Sequence, residues 1–97
     1  MPRIWELPTD YTKLTRAQRR EVRLQYITRQ NGKCSHCMEP LEGPPSGEVQ
    51  TAWVNRRLFP EGFFDHPVHL HHSHVTGLTI GAVHARCNAV LWQYHGE

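Results

Sequence analysis

The sequence predicts a small α+β domain: a basic N-terminal helix, a β-hairpin and a C-terminal helix, closed by a metal staple. Three observations predict it. Two ligand pairs of identical spacing, Cys34-x-x-Cys37 and His84-x-x-Cys87, stand at either end of a 46-residue interval. Between them Val68 to His72 (VHLHH) alternates in the manner of a short strand, and Leu78-Thr79-Ile80 begins a second one after the Thr76-Gly77 turn. Ahead of them, Thr15-Arg16-Ala17-Gln18 has the form of a capping box, in which the Thr hydroxyl and the Gln side chain satisfy orphan N–H groups at a helix start.

The first 12 residues read as an extended arm, since Pro2, Pro8 and the Thr9-Asp10 pair carry no helical signal. The helix then runs from about Thr15 to Arg29. Val22, Leu24, Tyr26 and Ile27 are its apolar residues, Arg16, Arg19, Arg20 and Arg23 point outward, and Asn31-Gly32 ends it. Cys34 to Cys37 form a tight knuckle, followed by the Pro/Gly-rich loop from Pro40 to Gly47. Residues 51–59 (TAWVNRRLF) hold enough β-formers for a strand or an ordered loop. In the strand from Val68, Val68 and Leu70 fall on one face, His69 and His71 on the other. A last helix spans about Asn88 to His95, with Gly96 as its C-cap and with Val90, Leu91 and Trp92 packing it onto the hairpin. The expected organisation is one domain over 1–97: an arm (1–14), a basic helix (15–31) and a zinc-bound core (34–97).

Bulk properties narrow the function. With 97 residues, 38% hydrophobic, and a mean hydropathy of -0.61, the core is lean and gains from a staple. No apolar run approaches about 20 residues, and Met1 to Glu6 lacks the apolar stretch of a signal peptide, so a cytoplasmic protein without a membrane partner is expected. An odd number of cysteines, three, argues against a disulfide framework. The net charge is only +2, yet seven of the eleven basic residues lie between Lys13 and Lys33 against one acid, Glu21. That local excess favours a polyanion, with a merely solvated helix face as the bland alternative. Five of the eight histidines (His66, His69, His71, His72, His74) fall within nine positions, a density suited to metal binding, proton transfer or phosphate contact.

Cys34, Cys37, His84 and Cys87 together suit Zn²⁺, because thiolate and imidazole are its preferred ligands and two x-x-separated pairs can close a tetrahedron. A redox role for Cys34/Cys37 lacks a surrounding βαβ pattern, Cys87 could instead be a buried apolar thiol, and His36 is an alternative but awkwardly placed ligand.

The run His71-His72-Ser73-His74-x-Thr76-Gly77, then Gly81 and His84-x-x-Cys87-Asn88, resembles the HNH endonuclease signature of the ββα-metal superfamily. It is most similar to the phage type of recombination-endonuclease-VII-like nucleases. The match covers residues 34–37 and about 68–95, and departs from that group's pattern in carrying His71 for its metal-binding Asp and His84 for its third zinc Cys. Both replacements keep a ligand. The resemblance implies a metal-dependent DNA endonuclease, nicking or cutting both strands. His72 would be the general base, His71 and Asn88 ligands of one divalent cation, and His74 a phosphate-orienting or supporting residue. Asn88 would sit at the helix start beside free N–H groups. Nitrogen in place of carboxylate oxygen should favour Mn²⁺, Co²⁺ or Ni²⁺ over Mg²⁺. Arg16, Arg19, Arg20 and Arg23 would contact DNA phosphates, with Arg56-Arg57 adding to them, and His95, two helical turns from Asn88, would reach phosphate or metal. Weak sequence preference and salt-sensitive binding are expected. His66 and His69 read as structural. The resemblance also implies a phage or prophage setting, the host cytoplasm as location, DNA packaging or processing proteins as partners, and a monomer or homodimer. The competing readings are a non-catalytic zinc module binding nucleic acid or protein, and an RNase using the same site.

Overall fold

The architecture is described from a computed structural model covering residues 4–96. Met1 to Arg3, part of the expected arm, and Glu97 lie outside the described residues. Helix α1 (Arg16–Arg29) and a short helix α2 (Gly47–Thr51) precede strands β1 (Val68–His72) and β2 (Thr79–His84), and helix α3 (Ala85–His95) follows directly. The strands form one antiparallel two-stranded sheet. Among the described residues no helix is long and apolar enough to cross a membrane.

The expected α1 forms for the expected reason. Thr15 accepts from the Gln18 N–H (3.2 Å) while Gln18 Oε1 accepts from the Thr15 N–H (2.9 Å). Val22 and Tyr26, one turn apart, are its buried residues, and Ile27 packs beside them. Leu24 does not join them and is 52% exposed, because two residues after Val22 a helix has turned to its opposite side. Asn31 and Gly32, at φ 56° and 73°, turn the chain out of the helix.

The arm is tied down rather than loose. Asp10 caps a 3₁₀ turn at Tyr11–Lys13, and the Tyr11 N–H donates to Gly77 O (2.9 Å). Thr79 donates its N–H to Thr9 O (2.8 Å), and its hydroxyl accepts from the Thr9 N–H (3.0 Å) and meets Tyr26 Oη (2.9 Å). One buried threonine therefore joins the arm, α1 and the hairpin.

The strand anticipated within 51–59 is absent. Those residues form the end of α2 and a 3₁₀ turn at Arg56–Leu58. Their backbone groups, with that of Val49 just before them, bond to side chains of α3 instead of a neighbouring strand. Arg86 donates to Val49 O (3.0 Å) and Ala52 O (2.7 Å), Tyr94 Oη to Trp53 O (2.6 Å), and Gln93 Oε1 accepts from Asn55 N–H (2.9 Å). The last helix starts at Ala85, three residues earlier than expected, with His84 as N-cap, and ends at Gly96 in the left-handed conformation (φ 73°). Asn88 is thus the fourth helical residue, one turn inside, and not a helix-start residue.

The knuckle is held to β2 through α1. Gln30 works as a peptide-like clamp: its Oε1 accepts from the Ala82 N–H (2.9 Å) and its Nε2 donates to Ala82 O (2.9 Å) and Lys33 O (2.7 Å). The Ser35 N–H also donates to Ala82 O (3.1 Å). A Cβ on Gly81 would stand 2.8 Å from Ser35 Oγ and 2.9 Å from Gln30 Oε1, so this close approach depends on glycine. The core gathers Val22, Tyr26, Cys34, Leu41, Val49, Leu70, Ala82, Val83, Cys87 and Val90 around the junction of hairpin, knuckle and α3.

Candidate metal centre and adjoining groove

Four ligand atoms from Cys34, Cys37, His84 and Cys87 lie within 4.8 Å of one another, buried or nearly so. His84 Nδ1 is 3.4 Å from Cys37 Sγ and 3.6 Å from Cys87 Sγ. A tetrahedron with zinc bonds of about 2.0–2.3 Å has edges of about 3.5–3.8 Å, so the donor set and spacing suit a structural zinc ion. The knuckle supplies two ligands from a turn closed by Met38 N–H to Cys34 O (3.1 Å) and Cys34 N–H to Glu39 O (2.9 Å), with Met38 at φ 67°. The other two come from the last residue of β2 and the first turn of α3. The His84 Nε2 side meets Pro40 O at 2.9 Å; an Nε2 proton donated there leaves the Nδ1 lone pair facing the three sulfurs. The His36 N–H approaches Cys34 Sγ at 3.4 Å, but the exposed His36 imidazole stays outside the cluster.

The thiols already share protons unequally. A hydrogen bond from Cys87 holds the Cys34 thiol down to about 4, helped by surrounding backbone N–H groups, whereas Cys87 is pushed up by the same bond and by burial. All three cysteines are free thiols.

A groove lined by none of the four ligands opens between α1 and the hairpin. Arg16, Arg19 and Arg23 line one side; His66, His69, His72, His74 and Asn88 line its floor and far side, and no carboxylate is among its lining residues. No family model, curated protein or solved structure matches the chain. The groove's chemistry is therefore read from its own side chains.

The structure brings three of the four expected arginines together and leaves Arg20 outside the groove. Tyr11 lies between Arg19 and His72: the Arg19 guanidinium carbon is 4.3 Å from the Tyr11 ring centre, and the His72 ring stacks on it at 3.8 Å and 7°. His74, past the strand end, still meets His72, with ring centres 4.9 Å apart. Burial, then the neighbouring His74, His71 and Arg19 charges, lowers the His72 pKa from its ordinary value. His72 is consequently a neutral imidazole at neutral pH.

His71 and His95 fall elsewhere. His71 is 4% exposed and does not line the groove. Its cross-strand partner is Gly81, paired residues point to the same side of a sheet, and on that side Ser35 and Gln30 close in. His95 opens on a separate depression with His36, Cys37 and Glu48, because two helical turns carry it about 10 Å beyond Asn88. Trp92, expected to pack the last helix onto the hairpin, is 39% exposed and lines the groove, whereas Val90 is buried.

The partner of Asn88 is His69, set aside as structural on sequence. Asn88 Nδ2 lies 3.1 Å from His69 Nδ1, and the Phe63 ring stands edge-on to the His69 ring at 4.6 Å. Burial dominates in lowering the His69 pKa, and the charges of His66 and Arg23 add to it. The register slips by one between His71 and His72, leaving Ile80 as the extra residue on β2. Such a bulge re-aims side chains, which accounts for His69 and His72 sharing a groove despite an odd spacing.

Proposed function

We propose that this chain is a zinc-stapled, metal-dependent endonuclease of the HNH type, hydrolysing phosphodiesters in the groove between α1 and the hairpin. One observation carries the reading: three arginines, four imidazoles and Asn88 line a single groove with no carboxylate, in a domain whose Cys₃His cluster is fit for zinc. A phosphodiester needs cationic groups for its non-bridging oxygens and a base for the attacking water. The arginines meet the first need.

His72 is the general base. Its lowered pKa keeps a lone pair available, and stacking on Tyr11 fixes the ring plane. His74 orients phosphate or supports the base. Among the described residues no three His, Cys, Asp or Glu ligand atoms of the groove cluster closely enough to share one ion, so a catalytic cation would be held by few protein atoms. Asn88 through its amide oxygen is the side chain suited to hold it; His69, in place of the buried His71, positions Asn88 by accepting from its amide nitrogen at 3.1 Å. Such a cation supplies transition-state charge stabilisation at the phosphate.

Supercoiled plasmid incubated with the zinc-loaded protein and each divalent ion tests the reading. Relaxation or linearisation with Mn²⁺, abolished in His72→Ala while zinc content and melting are kept, is expected. Intact plasmid and intact RNA under every ion would instead leave a zinc module that only binds. Competition between RNA and DNA separates a ribonuclease from a DNA endonuclease.

A further inference from the structure

The groove has two unlike walls. Arg16, Arg19 and Arg23 make the α1 wall cationic. Away from α1 the lining adds an apolar group to the histidines and Asn88: Leu58 and Phe59 come from the turn after α2, and Trp92 from α3. Leu58 is 48% and Trp92 39% exposed, a large apolar surface to leave in water beside a row of charges. The Phe59 and Trp92 rings meet edge-on, with centres 5.6 Å apart at 69°. Phe59 also packs against Phe63 (4.8 Å) and Phe64 (5.8 Å), so the exposed aromatic surface is chiefly that of Trp92.

A duplex suits only half of this arrangement. Its phosphates face outward and could follow the arginines, but its base faces are hidden in the stack. An unpaired strand presents a charged backbone on one side and bare base faces on the other, as the two walls require. We propose that the groove takes an unpaired polynucleotide strand, with its backbone along Arg16, Arg19 and Arg23 and its bases against Trp92, Phe59 and Leu58. This rests on the groove being a nucleic-acid site and adds which form of nucleic acid it selects. The complementarity of charge on one wall and exposed aromatic surface on the other carries it.

The test is fluorescence anisotropy on the zinc-loaded protein with no other divalent ion, using short labelled oligo(dT), oligo(U) and a duplex of equal length. The single strands should bind about tenfold more tightly than the duplex. Oligo(dT) against oligo(U) tells a DNA strand from an RNA strand. Trp92→Ala should weaken single-strand binding by about tenfold and leave the duplex unchanged. Leu58→Ala, in a turn remote from the zinc cluster, repeats the test if Trp92→Ala melts. Arg23→Ala should weaken both forms. Equal affinity for duplex and single strand, or equal loss for both forms in the Trp92 and Leu58 variants, overturns the proposal. Strand-selective binding without cleavage under Mn²⁺ removes the nuclease reading and keeps this one; Mn²⁺-dependent cleavage with equal affinity for duplex and single strand does the reverse.

Discussion

Stripping the Cys₃His cluster of metal should unfold the domain outright. The four ligands join positions 34 and 37 to 84 and 87, so they fasten the knuckle to the β2–α3 junction across 46 intervening residues. Small structural zinc sites contribute on the order of 10 kcal/mol. A domain of this length has a total stability of roughly 5–15 kcal/mol. The two magnitudes are comparable, so little stability should remain once the ion is gone. Without it, a buried imidazole and three crowded thiols also stand where the core packs Cys34, Cys87 and Val83. The assay is thermal unfolding followed by circular dichroism, before and after a strong chelator and again after one equivalent of Zn²⁺. The expected result is a cooperative transition, its loss, and its return, with Cys37→Ala behaving like the chelated protein. Proton competition gives the sign with pH: thiolates and neutral imidazole bind the ion, so stability falls as pH falls. A chelated, zinc-free protein that still melts cooperatively within about 5 °C of the starting value would refute the reasoning.

Further outcomes follow from single contacts. Gln30→Ala strands the Ala82 N–H at a buried position, which costs about 1–3 kcal/mol and should lower the melting temperature by roughly 5–20 °C. An unchanged melt would remove the clamp. His69→Ala and Asn88→Ala should each reduce plasmid cleavage at least about tenfold without loss of zinc, the zinc being read by elemental analysis. His72 has its pKa lowered, so the base stays deprotonated to pH values below its ordinary 6.5; the acid limb of kcat/KM should lie below that value, and a limb above it counts against His72 as the base. Arg19→Ala removes the cation over Tyr11 and one phosphate contact, so binding should weaken and its salt dependence become shallower by about one phosphate.

Much of the scaffold was legible because it is written in local chemistry. The capping box at Thr15 and Gln18, the glycine at position 96 and the paired x-x spacings of Cys34, Cys37, His84 and Cys87 each specify geometry within a few residues. The groove depends on tertiary placement, and there the sequence misled. Strand alternation puts His69 and His71 on one face, but Ser35 and Gln30 cover the Gly81 end of that face, where His71 pairs. His71 is buried and His69 meets Asn88. The segment 51–59 has strand-forming residues, yet Arg86, Gln93 and Tyr94 reach its backbone first, and no sequence window of that segment contains those three. His95 shares its azimuth on α3 with Asn88 but not its height along the axis.

The Gln30 clamp has a consequence for association. A hairpin of two strands has an outer edge on β2, and an open edge recruits strands from other molecules. At Ala82 both edge groups, the N–H and the carbonyl, are occupied by the side-chain amide of Gln30, the C-cap of α1, and the Ser35 N–H adds a second donor to the same carbonyl. The basic helix therefore shields the sheet from its own kind while it carries the arginines of the groove. A substitution at Gln30 would do more than loosen the fold. It would uncover an edge, and the protein should begin to self-associate as its concentration rises.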